Sequence, residues 1–206
     1  MLDIVQGTDD WHQLRLGKVT ASRLPDVISK TKSGWAASRA NYMAELIAER
    51  LTSIPTSSYF NAAMQWGTET EPTARTAYAF FRGTPVHEVG FVQHPDIEMA
   101  GASPDGLVDE NGMVEFKCPN TATHIDTLTK RKIPARYITQ MQWQMACACR
   151  EWNDFVSFDP RMPEDLKMFV KRIPRDDERI RELEALVRQF LDEIADKIMQ
   201  LREAAS

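Results

Sequence analysis

The sequence predicts an α/β (α+β) fold, with a central mixed β-sheet flanked by helices. Three observations carry this reading. Segments of strand character cluster between residues 86 and 117 and again between 155 and 173. Segments with a 3.6-residue apolar period precede, separate and follow them. No internal repeat or low-complexity tract interrupts the pattern, and 206 residues suffice for one domain with its own core, taken as residues 1–206.

The elements follow in order. Thr20-Ala21-Ser22 can open a helix that carries Leu24, Val27 and Ile28 on one face. Residues 29–38 (SKTKSGWAAS) are polar and basic and contain a glycine, so a loop is expected. Residues 41–52 set Tyr42, Leu46, Ile47 and Leu51 at helical spacing, and 54–59 read as a loop. A helix is expected to start near Thr68 to Pro72 and run to about Phe81. Residues 86–92 and 99–102 read as strands, and 107–117 as a hairpin. Residues 134–150 form a helix with Ile138, Met141, Met145 and Cys149 as its core stripe. Strands follow at 155–158 and 168–173. Residues 176 to about 201 form a long amphipathic helix, with Ile180, Leu183, Val187, Phe190, Leu191, Ile194 and Ile198 on one face.

Composition narrows the function classes. Hydrophobic residues make up 43% and charged residues 27%, the balance of a soluble globular protein rather than a disordered, collagen-like or disulfide-scaffold chain. No apolar run approaches the roughly 20 residues of a membrane helix. The N-terminus, MLDIVQGTDDW, has neither a basic nor an apolar signal-peptide region, so none is expected. Three cysteines, Cys118, Cys147 and Cys149, fit a reducing cytoplasm. They are too few for an iron–sulfur cluster, and Cys147 and Cys149 point apart on a helix. His12, His87 and His94 show no ligand spacing with them, so all three thiols are read as structural.

The net charge of −5 is unevenly distributed. Residues 12–50 carry seven basic against three acidic residues, and 123–150 carry five against one. Between them, residues 51–122 carry three basic against nine acidic. Basic stretches suit phosphate, and a carboxylate cluster suits a divalent metal.

The acidic middle contains Ser103-Pro104-Asp105-Gly106-Leu107 and, after a turn, Glu115-Phe116-Lys117. Glu110-Asn111-Gly112 is a credible three-residue hairpin loop, with Gly112 able to take the left-handed position. That register pairs Asp109 with Met113, sets Leu107 opposite Glu115 and Asp105 opposite Lys117, and puts Asp105, Glu115 and Lys117 on one face. A two-residue Asn-Gly loop would put Asp105 on the other face. Two carboxylates and a lysine converging there could hold a hard cation and its water. Spacing alone favours the simpler reading, a surface hairpin with a Glu–Lys pair worth about 0.2–1 kcal/mol.

Asp105 with Glu115-x-Lys117, preceded by Pro104, matches the PD-(D/E)xK motif. The chain more specifically resembles the lambda-exonuclease-type, YqaJ viral recombinase family. Trp11-His12-Gln13-Leu14-Arg15-Leu16-Gly17 with Thr20-Ala21-Ser22 is similar to its N-terminal signature, and Trp66-Gly67-Thr68-Glu69-Thr70-Glu71 to its second block. Ser103 to Leu107, Glu115-Phe116-Lys117-Cys118-Pro119, residues 137–142 and Asp159-Pro160-Arg161-Met162 follow in family order. The blocks span roughly residues 5–175.

The resemblance implies a restriction-endonuclease-like core and a site. Asp105 and Glu115 would ligate metal, joined by the Phe116 carbonyl and by Glu71. Glu71, beside Pro72, also has the simpler reading of an acidic residue at a helix start. Lys117 would activate the attacking water, and Gln140 would contact the site from its helix, on a face shared with Tyr137 and Gln144. Arg15, Ser22 and Ser103 would bind a 5′-terminal phosphate, as a guanidinium and hydroxyls near a helix N-terminus can. Met64 matches an apolar wedge that splits terminal base pairs, and Lys30 and Lys32 would meet the duplex backbone. The family pattern has an arginine after Lys-Cys-Pro that also reaches the phosphate. Here Thr121-Ala122-Thr123-His124 stands there, which puts the 5′-phosphate preference in doubt unless His124 or Lys130 supplies the contact.

The implied activity is a Mg²⁺-dependent 5′-to-3′ double-strand DNA exonuclease that releases mononucleotides and leaves a 3′ single strand. Mn²⁺ is an expected substitute, and two ions are expected. A homotrimer around DNA, an annealing-protein partner in phage-type recombination and a bacterial cytoplasmic location are implied with it. A nicking or structure-specific endonuclease on the same core, or a non-catalytic DNA-end-binding protein, are the alternatives.

Overall fold

The computed structural model describes residues 4–56 and 61–205. The loop expected at 54–59 falls partly outside them. Among the described residues no helix is long and apolar enough to cross a membrane.

The chain opens with helix α1 (Asp9–Arg15), where the Thr8 side chain caps Trp11 N and Asp9 and Asp10 fill the first turn. Strand β1 (Val19–Thr20) leads into a 3₁₀ turn (Ala21–Arg23) and the short helix α2 (Leu24–Val27). The segment read as a loop holds a small hairpin, β2 (Lys30–Thr31) with β3 (Gly34–Trp35). Helices α3 (Ala37–Thr52) and α4 (Ala62–Arg82) follow, and then strands β4 (Val86–His87), β5 (Val92–Gln93), β6 (Ala100–Ala102), β7 (Gly106–Val108) and β8 (Gly112–Lys117). Helices α5 (Thr121–Lys130) and α6 (Ala135–Ala148) precede β9 (Trp152–Phe158), β10 (Met168–Pro174) and the final helix α7 (Asp177–Ala204).

The main sheet has the order β10-β9-β8-β7-β4. Only β8 and β9 run parallel in it, joined by the crossover through α5 and α6. A second sheet, β1-β6-β5, takes the expected strand at 86–92 apart: residues 86–87 and 92–93 pair in different sheets. Helix α4 packs Ala74 and Tyr78 on the sheet face that carries Val108, Val114, Phe116, Val156 and Phe158. On the other face Met141 of α6 meets Phe155 and Phe169. The largest cluster joins α2, α3, α6 and α7, with Leu24, Tyr42, Leu46, Trp143, Leu183 and Phe190 buried together. Arg39 is tied to Glu193 of α7 by two hydrogen bonds, and its Nε donates to the Val27 carbonyl.

Several expectations need correction. Helix α4 begins at Asn61, whose side chain caps Met64 N, and continues through Pro72. Proline removes one N–H and so strands the carbonyl four residues earlier, but that residue, Thr68, is exposed and water can serve it. Glu71 is therefore mid-helix, and capping does not account for it. Helix α5 was not expected; the Asn120 side chain caps Thr123 N and starts it. Cys149 is exposed in the left-handed cap position after α6, not in a core stripe, because the helix ends at Ala148. The face of α6 expected to be polar is buried too: every residue from Thr139 to Cys147 is.

The hairpin register is shifted by two residues. Val108 pairs with Gly112 and Gly106 with Val114, so the loop is Asp109-Glu110-Asn111 and Asp109 takes the left-handed conformation at φ 50°. A two-residue slip preserves the side-chain faces. Gly112 is needed for a different reason: a Cβ there would collide with the Trp152 indole. That ring cannot retreat, because the Arg172 guanidinium stacks 3.3 Å from its centroid. Arg172 in turn holds the buried Asp154 through two hydrogen bonds, and Tyr78 donates a third. Gly112→Ala should therefore lower stability by about 1–3 kcal/mol through overpacking, read as a shift of the urea midpoint at unchanged m.

Candidate active site

Alternation along β8 sends Val114 and Phe116 towards α4 and leaves Glu115 and Lys117 for the α6 side. The Glu115 side chain is 1% exposed. Its Oε1 accepts from Lys117 Nζ at 2.5 Å and Gln140 Nε2 at 2.7 Å, and its Oε2 from Gln144 Nε2 at 2.6 Å. A carboxylate taken out of water needs such donors, since an unpartnered buried charge costs several kcal/mol. Asp105 lies just before β7; its Oδ2 accepts from Phe116 N at 2.7 Å.

Burial, reinforced by Glu115 and Glu71, pushes the Asp105 carboxyl well above the usual carboxylate range. Glu71 is raised mainly by burial, although Arg75 donates to its Oε1 at 2.6 Å and pulls the other way. For Lys117, burial alone would favour the neutral amine, but Glu115 and Asp105 outweigh it and hold the ammonium above its ordinary value. The neighbouring Cys118 thiol is pushed up to about 12 by burial and then by Glu71 and Asp105, so it is no nucleophile. Lys117 Nζ also sits 4.9 Å from the Tyr137 ring centroid, and that ring stacks on Phe155.

Three mutually repelling carboxylates, with hard oxygen donors and no histidine among them, suit a hard divalent cation. Among the described residues no group of three or more His, Cys, Asp or Glu converges in ready ligating geometry. Mg²⁺ needs no such group, since one or two carboxylates complete its shell with water and phosphate oxygens. Asp105 and Glu115, with the Phe116 carbonyl and Glu71 beside them, fit that requirement.

The residues expected at a terminal phosphate also gather. Arg15, Ser22 and Met64 line one cleft of about 690 Å³, together with Trp11, Tyr42 and Thr56. The Arg15 guanidinium lies 3.8 Å over the Trp11 ring, and Trp11 Nε1 donates to Ser103 Oγ at 2.9 Å. Among the described residues that guanidinium has no hydrogen-bond or ion-pair partner. Burial lowers its pKa, opposed by Tyr42 and Glu49. Ser103 keeps its own hydroxyl proton to donate. Gln6 Nε2 donates to the Pro104 and Val89 carbonyls, both at 2.8 Å. The segment Ser103-Pro104-Asp105 thus joins the cleft to the carboxylates. Met64 is 48% exposed, too open for a core residue. Lys30 and Lys32 are exposed on the β2–β3 hairpin, with Lys30 Nζ 4.6 Å from the Trp35 centroid.

His124 is not available to a phosphate. It is fully buried, with Nδ1 paired to Ser157 Oγ at 2.8 Å and Nε2 to the Leu166 carbonyl at 2.9 Å. Lys130 is exposed and paired with Asp126. Sequence reasoning placed Gln144 on the face of Gln140 but gave it no role; its spacing of four residues was the available signal. Asn153, which donates to Gln144 Oε1 at 2.9 Å, carried no signal.

Comparison with known proteins bears on this arrangement. The structure of LHK-Exo in complex with dAMP is similar at 53% identity and a TM-score of 0.90, covering 96% of this chain and 98% of that one. An alkaline exonuclease (LHK-Exo) structure from Laribacter hongkongensis is 52% identical, with the same TM-score and coverage. A phage related exonuclease from Haemophilus somnus 129PT, 19% identical over 88% of this chain and 96% of that one, shares the fold at a TM-score of 0.67. The mixed α/β architecture with its restriction-endonuclease-like core is thus common to all three. No curated protein matches the chain. The family model of the YqaJ-like viral recombinase domain matches residues 10–151, more than half of the sequence, and the chain belongs to that family.

Proposed function

We propose that the chain is a Mg²⁺-dependent 5′-to-3′ double-strand DNA exonuclease. The observation that carries the reading is the continuity of Arg15, Trp11, Ser103 and Asp105. A cleft whose Arg15 guanidinium has no hydrogen-bond or ion-pair partner among the described residues is linked within a few residues to the carboxylate cluster. A terminal phosphate seated at Arg15, Ser22 and Ser103 would present the adjoining phosphodiester to Asp105, Glu115 and Lys117, so the anion site measures the cut from an end. The dAMP bound by the 53% identical LHK-Exo supports release of mononucleotides.

A bound cation would supply Lewis-acid polarisation of the phosphoryl oxygen and a more acidic water. Asp105, Glu115, the Phe116 carbonyl and Glu71 would hold it, with Mn²⁺ able to replace Mg²⁺ and room in the donor set for two ions. Gln140 keeps Glu115 oriented. Lys117, held protonated by Glu115 and Asp105, would activate the attacking water. Met64 at the cleft mouth would wedge the terminal pair, and Lys30 and Lys32 would follow the backbone.

Processive digestion would follow from a homotrimer, and exposed Phe80 (91%) and Phe81 (62%) at the end of α4 offer apolar surface for a subunit contact. The 3′ strand left behind would pass to a single-strand annealing protein for phage-type recombination in the bacterial cytoplasm.

Digestion of a linear duplex labelled on one strand tests the reading, with Mg²⁺ or EDTA and a closed circle in parallel. Mg²⁺-dependent mononucleotide release from the 5′-ended strand, with the circle untouched, is expected. Cutting of the circle would replace the exonuclease by an endonuclease, and binding without cleavage by an end-binding protein. Lys117→Ala should lower kcat by about 10²–10⁴-fold while leaving DNA affinity within a few-fold. Arg15→Ala should slow 5′-phosphorylated ends by about 10–100-fold, the range for a charge-assisted hydrogen bond, and barely change 5′-hydroxyl ends. Equal losses on both ends would remove Arg15 from the phosphate site.

A further inference from the structure

We propose that Gln144, backed by Asn153, is a positioning residue that fixes the rotation of the Glu115 carboxylate for a divalent cation. The inference rests on the nuclease reading above. Gln144 and Asn153 are both fully buried. A glutamine amide can turn over and exchange its donor and acceptor ends. Here it cannot without loss. Asn153 Nδ2 donates to Gln144 Oε1, which leaves only Nε2 to face Glu115, and that group donates to Oε2. Turning Asn153 over would set its Oδ1 against Gln144 Oε1, oxygen to oxygen. Asn153 Oδ1 has no partner in its present orientation and is buried, so the link to Gln144 is kept at the expense of an unsatisfied acceptor.

The two oxygens of Glu115 are thereby distinguished. Oε2 is committed to a rigid, fully buried amide. Oε1 is shared by Lys117, which is 26% exposed, and the buried Gln140. Oε1 already accepts two hydrogen bonds, whereas Oε2 accepts one and keeps a lone pair; by holding Oε2, Gln144 fixes the rotation at which the carboxylate meets a cation. Partners behind a metal ligand commonly matter for affinity nearly as much as the ligand.

Mn²⁺ binding to the DNA-free protein, followed by electron paramagnetic resonance, tests this apart from catalysis. Gln144→Met, which keeps the volume and removes the donor, should weaken Mn²⁺ by roughly 10–100-fold. Asn153→Ala, which leaves Gln144 but frees its amide to turn, should weaken it by a smaller factor. The double variant should be no weaker than Gln144→Met alone, since Asn153 acts through Gln144. Raising Mg²⁺ should restore much of the lost nuclease rate, with KM for DNA unchanged. A folded Gln144→Met or Asn153→Ala protein with wild-type Mn²⁺ affinity overturns the proposal. If Gln144→Met does not fold, Asn153→Ala decides alone. Wild-type protein that binds Mn²⁺ but degrades no DNA overturns the nuclease reading and leaves the positioning role standing. Wild-type protein that binds no Mn²⁺ overturns both.

Discussion

The buried carboxylate of Glu115 is the constraint around which the rest is arranged. A charge at 1% exposure would unfold its own strand if left alone, since desolvation costs several kcal/mol per ion. It is offset by one ammonium and two amides, and two of those three donors come from α6. That requirement explains why α6 is buried on every side yet carries Gln140, Gln142 and Gln144. Gln140 and Gln144 serve Glu115. Gln142 clamps the far side, donating to the Pro174 carbonyl and accepting from Asp176 N. The helix is polar inside because it is the counterpart of a charged strand.

Buried charge elsewhere in the chain is paired by the same logic. The buried Asp154 pairs with Arg172 and the buried Asp159 with Arg161 and Thr121, and the partly exposed Glu193 pairs with Arg39. Asp159 is held down to about 2 by Arg161 and Thr121, so it stays ionised throughout the ordinary range. Arg15, which has no hydrogen-bond or ion-pair partner among the described residues, lies in the cleft.

How much of this was legible beforehand depended on what each signal measured. The face shared by Asp105, Glu115 and Lys117 was readable because it depends only on parity; the register was two residues off and the faces survived. The blocks from Trp11 to Arg161 identified the family, but they could not distinguish a buried His124 from a phosphate contact, because burial is tertiary. Helix α5 hid behind Thr121, Thr123, Thr127 and Thr129, poor helix formers whose cost is offset by the Asn120 cap and the burial of His124. Helix α1 had a readable Thr8-Asp9-Asp10 start, but seven residues leave little periodicity to see. Asn153 could not have been found, since its role exists only through contacts with α6.

The parallel pairing of β8 with β9 has a consequence for biosynthesis. Asp105 and Glu115 leave the ribosome with β4, β7 and β8 already made, but β9, which pairs with the other edge of β8, is completed only at Phe158, after α5 and α6 have crossed over. Gln140 and Gln144 emerge 25 and 29 residues after Glu115. Such non-local contacts form late, after the loop-closure cost has been met. A nascent chain stalled before α6 therefore carries these carboxylates without the Gln140 and Gln144 donors and without β9. The ordered carboxylate cluster is thus withheld until β9 has been made.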